Sequence, residues 1–240
     1  MKKDDIGVRM SRSVSIIIPM FNNWHLTHQR MMELYKLVDT PCEVILVDDC
    51  STDENIAGAM RFWKVSQSKH SVITIKTPKN LGFGGAMNHG AKRATEDVYV
   101  FLSNDVQLLY DFVPDVLGKI EERVLVGNEL YIHDTGWNVL KINNKPMLFM
   151  YLAGYFLACT KESWKELGGF DDIYSPFDYE DMDLSTTASH LGYKLIPLNS
   201  KMLLHASGQT IRQVRPDRES VTYRNQRRFI GKWSKILRED

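Results

Sequence analysis

Four runs of apolar, mostly β-branched residues alternate with segments of helical periodicity in the first half of the chain. They are SVSIIIP, CEVILVDD, SVITIKT and DVYVFLSND, beginning at Ser13, Cys42, Ser71 and Asp97. Continuous apolar runs bounded by turn residues are typical of strands buried on both faces. Because a helix-length segment follows each of the first three runs, the pattern predicts an α/β fold, with a mostly parallel central sheet flanked by helices.

The second half of the chain is less regular. Between residues 125 and 145 we expect short strands with a turn at Asn143 and Asn144. YFLACT reads as a strand, KESWKELGGF as a short helix ended by two glycines, and YEDMDLSTTASHLGY as a helix with acids in its first turn. KLIPL and KMLLHASG read as later strands, and the tail from Pro216 to Leu237 is predicted to be one amphipathic helix.

Charge is balanced over the whole chain but not along it. The 240 residues carry 30 Lys or Arg and 30 Asp or Glu, so no global field favours nucleic acid or a membrane. Residues 201–240 hold 10 basic against 4 acidic residues, a local charge of +6. This basic end is compatible with a solvated helical face, or with contact to a polyanion.

The three cysteines, Cys42, Cys50 and Cys159, include no CxxC pair. This argues against a disulfide framework or a cysteine zinc site and favours a reducing compartment. The first 13 residues lack the apolar core of a signal peptide. The longest apolar-rich run, Met147 to Cys159, is shorter than the about 20 residues a membrane helix needs. We therefore expect a soluble, cytoplasmic protein without a transmembrane segment.

Polar residues follow three of the predicted strands, at Pro19–Asn23, Asp48–Ser51 and Ser103–Asp105. The carboxyl ends of parallel strands meet at one edge of a sheet, where α/β proteins bind ligands. Asp48 and Asp49 could accept a hydrogen bond from the imide N–H of uracil or thymine. Ser51 or Asp53 alternatively caps the next helix. Asp105 could share a divalent cation with diphosphate oxygens, or simply end its strand in water.

Three further segments carry possible chemistry. KNLGFGGAMNHG, residues 79–90, places glycines before a helix, as a phosphate-binding loop or a flexible turn would. FDYEDMDL sets acids among apolar side chains, where a raised pKa and base chemistry are possible, although a solvated helix start has the same composition. His205 follows three apolar residues and could ligate a metal or be a satisfied polar group.

Six motifs occur in a fixed order: SIIIPMFN, VDDCSTD, NLGFGGAMNHG, FLSNDV, GGFDDIYSPFDYEDMDL and a histidine. In this order they resemble the family 2 glycosyltransferases, whose fold is GT-A, and are most similar to the rhamnosyltransferase-like branch. The resemblance implies a Rossmann-like GT-A domain over residues 13–210, with a nucleotide-binding half (13–105) and an acceptor and catalytic half (106–210). Residues 1–12 would be an N-terminal extension, and 211–240 a basic helix packed on the domain.

The resemblance also implies roles for individual residues. The general base would be Asp181, the second residue of its Glu-Asp pair. Asp105 would bind Mn²⁺ or Mg²⁺, with His205 as a second ligand. The implied nucleotide-binding residues are Pro19, Met20, Phe21, Asp49, Asn80, Gly82 and Asn104.

The implied activity is inverting, metal-dependent transfer of a sugar from a UDP- or dTDP-sugar to a hydroxyl of a glycan or other polymer. Two other functions remain open at this stage. Because Ser103 stands where relatives often have an acid, the chain could be a nucleotide-sugar-binding module with weak catalysis. Because the tail is basic, it could instead transfer sugar to modified nucleic acid. The sequence does not indicate an oligomeric state.

Overall fold

The computed structural model describes residues 12–65, 69–134, 141–142, 145–146, 148–198, 203–205 and 217–239. The N-terminal extension, apart from residue 12, and the stretch 206–216 lie outside these ranges. The first half runs β1 (Val14–Met20), α1 (Trp24–Leu37), β2 (Glu43–Asp48), α2 (Asn55–Val65), β3 (Ser71–Lys76), α3 (Gly82–Ala91), β4 (Val98–Leu102) and β5 (Val106–Leu108). This is the predicted alternation of strand and helix.

The second half continues with α4 (Val113–Lys119), β6 (Val124–Gly127), β7 (Leu130–Asp134), β8 (Lys141–Ile142), β9 (Lys145–Pro146), β10 (Leu148–Leu152) and β11 (Phe156–Thr160). After β11 come α5 (Lys161–Leu167), a 3₁₀ turn (Asp172–Tyr174), α6 (Glu180–His190), β12 (Lys194–Pro197), β13 (Leu203–His205) and α7 (Arg218–Glu239). The predicted tail helix is therefore present, beginning and ending two residues later than expected. Among the described residues, no helix has the length and apolar character needed to cross a membrane.

Seven strands form the central sheet in the order β12-β6-β11-β4-β1-β2-β3. All neighbouring pairs are parallel except those that β11 makes with β4 and β6. The sheet is thus mostly parallel, as predicted. The reversal of β11 also brings its first residue, Phe156, opposite Leu102 at the end of β4. The loop before β11 consequently reaches the same edge as the carboxyl ends of β1, β2 and β4.

Alternate residues of each central strand bury opposite faces of the sheet. In β1, Ile16 and Ile18 pack with α1, α2 and α4, whereas Ile17 packs with α3, α5 and α6. The same division holds for β2 and β4, so the sheet separates two apolar cores. A third, smaller cluster lies under α7 and comprises Phe149, Tyr174, Met182, Phe229 and Trp233.

Three two-stranded sheets supplement the main one. β7 pairs antiparallel with β10, and β8 pairs antiparallel with β9. The expected turn residues Asn143 and Asn144, between β8 and β9, lie outside the described ranges. β13 pairs antiparallel with β5, and His205 lies opposite Val106 in this pairing. His205 thus returns to the segment that carries Asp105.

Candidate active site

A cavity of about 400 Å³ opens at the carboxyl edge of the sheet. Every site residue predicted from the sequence lines it except His205, whose side chain lies outside what the structure describes. The predicted residues in its wall are Pro19, Met20, Phe21, Asp49, Asn80, Gly82, Asn104, Asp105 and Asp181. Residues separated by more than 150 positions in the chain therefore meet in one cavity.

Asp49 organises the wall on the side of β2. Its carboxylate is 3% exposed and accepts hydrogen bonds at Oδ1 from the Thr77 hydroxyl at 2.9 Å and the Leu81 N–H at 2.8 Å. Its Oδ2 accepts from the Gly82 N–H at 2.9 Å. Burial raises the pKa of Asp49, although these three hydrogen bonds favour its charged form. The carboxylate therefore fixes the loop that enters α3.

The glycine-rich segment differs from a phosphate-binding loop. At the start of α3, the N–H groups of Leu81 and Gly82 are bound to Asp49, and that of Phe83 donates to the Pro176 carbonyl at 2.8 Å. Three of the amides that could make this helix N-terminus attractive to an anion are thus bonded within the protein. The glycines instead permit close approach, because a Cβ at Gly82 would lie 2.4 Å from the Pro176 oxygen.

Two other predicted side chains are held by local hydrogen bonds. The amide nitrogen of Asn80 donates to the backbone oxygen of Asp49 at 3.3 Å. The Asn104 side chain is buried and its amide donates to the Thr27 hydroxyl of α1 at 3.0 Å. Both residues line the cavity from preorganised positions.

Asp105 offers a carboxylate to the cavity where β4 ends. Its Oδ1 accepts a 2.6 Å hydrogen bond from the Ser103 hydroxyl, so the residue that replaces an acid in the motif orients the remaining one. Within the described residues, no group of three His, Cys, Asp or Glu side chains is placed to hold a metal. A hard oxygen donor in a cavity wall fits a divalent cation that takes its other ligands from phosphate and water.

Glu180 and Asp181 begin α6 and face the cavity from the opposite side. The Asp181 carboxylate accepts two hydrogen bonds of 2.8 Å. The Gly154 N–H donates to Oδ2, and the Met182 N–H donates to Oδ1. Burial raises the pKa of Asp181, and the nearby charge of Asp178 raises it further against these hydrogen bonds. The acidic segment therefore differs from a solvated helix start, because Glu180 is buried and Asp181 is partly buried.

Glu180 is 7% exposed, and its Oε2 has no hydrogen-bond partner among the described residues. Burial raises its pKa well above the usual range, and the charge of Asp181 adds to this effect. An acid in this environment is stable in its neutral form and can donate a proton or a hydrogen bond.

Several lining residues were not predicted as site residues. Tyr131 and Tyr151 stack on the β7–β10 sheet with ring centroids 5.5 Å apart, and Tyr131 is 37% exposed. Arg218 of α7 reaches the cavity and lies 3.5 Å from Asp178. One tyrosine on each of two short strands and one arginine on a basic helix carry no local motif. Only the tertiary structure brings them to the site.

The sequence model of the family described as "Glycosyl transferase family 2" matches residues 15–172. The chain belongs to glycosyl transferase family 2. The match runs from β1 to the first residue of the 3₁₀ turn and stops before α6.

Relatives of this family 2 chain include a "Dolichol-phosphate mannosyltransferase" of Pyrococcus furiosus, 30% identical over 141 residues. That alignment covers 55% of this chain, which spans only 36% of the relative's length.

This chain has the GT-A fold, and two solved structures of low sequence identity share it. One is the mannosyltransferase PcManGT from Pyrobaculum calidifontis, in complex with GDP-Man and Mn²⁺, with a TM-score of 0.61 and 19% identity over 78% of this chain and 54% of that one. The other is residues 1–349 of S. aureus TarS in complex with UDP-GlcNAc. Its TM-score is 0.58 and its identity 20%, and the similarity covers 81% of this chain and 58% of that one.

Proposed function

We propose that this family 2 chain transfers a sugar from a nucleoside diphosphate donor to a hydroxyl group. The observation that carries the proposal is the shared cavity, in which the partly buried carboxylate of Asp181 faces the strand-end carboxylate Asp105 and the loop held by Asp49. One wall thus offers groups suited to a nucleotide and a cation. The other offers a group suited to proton removal.

The donor would lie against the first half of the chain. The segment Pro19 to Phe21, with Asp49, Asn80, Gly82 and Asn104, would contact the nucleoside. We propose a UDP- or dTDP-sugar, with Asp49 accepting from the base imide, in addition to its backbone partners. Similar structures hold GDP-Man in one case and UDP-GlcNAc in another, so both guanine and uracil donors belong in the test. The sequence motifs resemble the rhamnosyltransferase-like branch, and the transferred sugar would be a hexose or a deoxyhexose.

Mn²⁺ or Mg²⁺ is the proposed cofactor, and PcManGT, a structural neighbour, was solved with Mn²⁺. Asp105 would hold it through a carboxylate oxygen that Ser103 orients, with His205 as the proposed second protein ligand. When bound, such an ion neutralises negative charge on a departing diphosphate.

Asp181 is the proposed general base. The acceptor oxygen attacks the anomeric carbon, the bond from that carbon to the diphosphate breaks, and the hydroxyl proton passes to a carboxylate oxygen of Asp181. A single displacement of this kind inverts the anomeric centre. Burial raises the pKa of Asp181, which makes its carboxylate a stronger base than an exposed aspartate. The Gly154 N–H holds the carboxylate of Asp181 in place. The stacked rings of Tyr131 and Tyr151 would provide an apolar surface for a glycan acceptor.

Two alternatives make different predictions. A nucleotide-sugar-binding module would bind the donor but would neither transfer nor hydrolyse it. A transferase acting on modified nucleic acid would bind duplex DNA through the basic end with a steep dependence on salt. A carboxylate that the Gly154 N–H holds in the cavity wall favours transfer over binding alone.

A thermal-shift screen tests the proposal directly. The protein is heated with UDP, dTDP, GDP and their sugars, each with and without Mn²⁺ or Mg²⁺. A ligand that binds only the folded state raises the free energy of unfolding by mass action, by about 2.7 kcal/mol at 100 times Kd, and therefore raises Tm. A metal-dependent shift with one nucleotide, followed by release of that nucleotide from its sugar, supports the proposal. The absence of a shift with every nucleotide and metal would overturn it.

A further inference from the structure

Residues 174–179, here called the bridge segment, connect the 3₁₀ turn to α6 and contact both α3 and α7. The segment ends in two residues with left-handed backbone, Asp178 at φ 68° and Tyr179 at φ 79°. Tyr179 is the N-cap of α6, and its carbonyl accepts from the Asp183 N–H at 2.9 Å. The path of the bridge segment therefore sets where α6, and with it Asp181, begins.

On the nucleotide side, the bridge segment is bonded to the start of α3. The carbonyl of Pro176 accepts from the Phe83 N–H at 2.8 Å, and the Ser175 hydroxyl donates to the Leu81 carbonyl at 2.9 Å. Leu81 is also held from its other side by Asp49. The bridge segment thus connects the nucleotide wall to the wall that carries Asp181.

On the outer side, one residue of α7 binds the bridge segment at three points. The side-chain amide of Asn225 lies 2.5 Å from the Tyr174 oxygen, 2.7 Å from the Phe177 oxygen and 3.0 Å from the Asp178 oxygen. Asn225 is 0% exposed, so water does not replace these donors. Two N–H groups are shared among three backbone carbonyls that would otherwise be buried without partners.

Neighbouring residues of α7 support the same contact from the surface. Arg224 donates to the Ser175 carbonyl at 2.7 Å, and the Thr222 hydroxyl donates to the Asp178 carboxylate. Further along the helix, Lys232 and Trp233 bind Asp183 at 2.7 Å and 2.8 Å. Asp183 Oδ1 also accepts from the Tyr174 hydroxyl at 3.1 Å, but Lys232 binds the other oxygen, so Asn225 and Lys232 attach α7 through different atoms and permit a matched comparison.

We propose that Asn225 is a positioning residue for the transfer reaction: it sets the path of the bridge segment and thereby holds Asp181 at the acceptor oxygen. This inference rests on the proposed function. Asn225 does not line the cavity, and its effect on the reaction passes through backbone carbonyls. Displacing a catalytic group by about 1 Å can cost about 100-fold in rate, so loss of this contact lowers kcat.

The test is Asn225→Asp, which keeps the side-chain volume but removes both donors and sets a carboxylate against three carbonyls. We expect kcat to fall by about 100-fold, while the affinity for the nucleotide found in the screen, measured by calorimetry with Mn²⁺, changes little. Affinity is preserved because Asp49 still holds Leu81 and Gly82. Asn225→Ala, which removes the donors without adding charge, should change kcat in the same direction.

Lys232→Met is the matched control, since it weakens the other attachment of α7 and removes no direct bond to the bridge segment. It should lower Tm but leave kcat near that of the unmodified protein. If kcat falls equally in Asn225→Asp and Lys232→Met, in proportion to the loss of Tm, Asn225 is only a structural anchor and the proposal is wrong.

Hydrogen exchange at the Phe83 amide provides a readout independent of activity. Its acceptor is the Pro176 carbonyl, so a displaced bridge segment should speed exchange of this amide in Asn225→Asp and not in Lys232→Met. Unchanged exchange would contradict the proposed contact even if the variants unfold more easily. If the unmodified protein binds no nucleotide, the proposed function fails, whereas the exchange result still decides whether Asn225 holds the segment.

Discussion

The carbonyl oxygen of Pro176 lies so close to Gly82 that a Cβ added there would stand 2.4 Å from it. Gly82 also has a left-handed backbone, at φ 77°. Gly82→Ala should therefore destabilise the fold by about 2 kcal/mol or more, through backbone strain and displacement of residue 176. Denaturant unfolding measures the loss, and calorimetry should show weaker nucleotide binding in the same variant.

Gly58 provides the control for that substitution. It lies on the exposed face of α2, and an added Cβ would meet nothing within 4 Å. Gly58→Ala should stabilise the protein by about 0.5–1 kcal/mol, because alanine is the better helix former. A similar destabilisation in both variants would show that the contact with Pro176 is not the cause.

Asp49→Asn tests the carboxylate that holds the loop before α3. An amide group in this position must turn its NH₂ toward the Leu81 or Gly82 N–H, which leaves a buried donor without an acceptor. We expect a loss of about 1–3 kcal/mol in the free energy of unfolding, together with weaker nucleotide binding. Normal stability in urea would indicate that the loop holds without its acceptor.

Asp181→Asn should abolish transfer while preserving nucleotide binding. The amide oxygen can still accept from the Gly154 N–H, at the loss of the Met182 contact and some stability, but the side chain no longer accepts a proton. The expected loss in kcat is about 10²–10⁴-fold. Steady-state kinetics and calorimetry on one preparation separate the two effects, and full transfer activity would exclude Asp181 as the base.

Asp105→Asn should remove the metal dependence of nucleotide binding. The amide keeps an oxygen for the Ser103 hydroxyl but loses the charge that a divalent cation requires. Titration of Mn²⁺ into protein and nucleotide should lose its effect on affinity. Ser103→Ala, which retains the carboxylate, should weaken the metal response less, and an identical response in all three proteins would argue against a cation at this position.

Asp178→Asn should move the pH dependence of the reaction. Burial and the negative charge of Asp178 both raise the pKa of Asp181. A base acts only when deprotonated, so kcat/KM rises with pH through that pKa. Removing the charge lowers the pKa, and the acidic limb of the profile should shift to lower pH. Asparagine tolerates the left-handed backbone at this position, which limits strain. If the acidic limb of the kcat/KM profile stays at the same pH, the charge of Asp178 does not raise the pKa of Asp181.

Much of the nucleotide side could be predicted from local sequence. β1, β2 and β4 are continuous apolar runs, and polar residues at their ends meet because parallel neighbours share one edge. The acidic helix start at Glu180 was also predicted. Its burial was indicated by the apolar residues around it, but was not certain from composition alone.

The remaining parts of the site depend on contacts between distant residues. Nothing in the sequence near Phe156 gives the direction of its strand, although that reversal brings Gly154 to Asp181. The glycines before α3 resemble a phosphate loop, yet Asp49 binds their amides from another strand. Asn225 lies in a basic amphipathic helix and has no motif that connects it to Asp181, 44 residues earlier in the chain.

The amides of Leu81, Gly82 and Phe83 at the start of α3 are already bonded, so they attract an incoming anion less than free amides would. Arg218 is the one cationic side chain among the described lining residues, which also include Asp49, Asp105 and Asp178. A free nucleoside diphosphate therefore approaches a wall of its own sign, whereas its complex with a divalent ion approaches with less repulsion. For the proposed donor, the association rate constant should follow the concentration of free divalent ion.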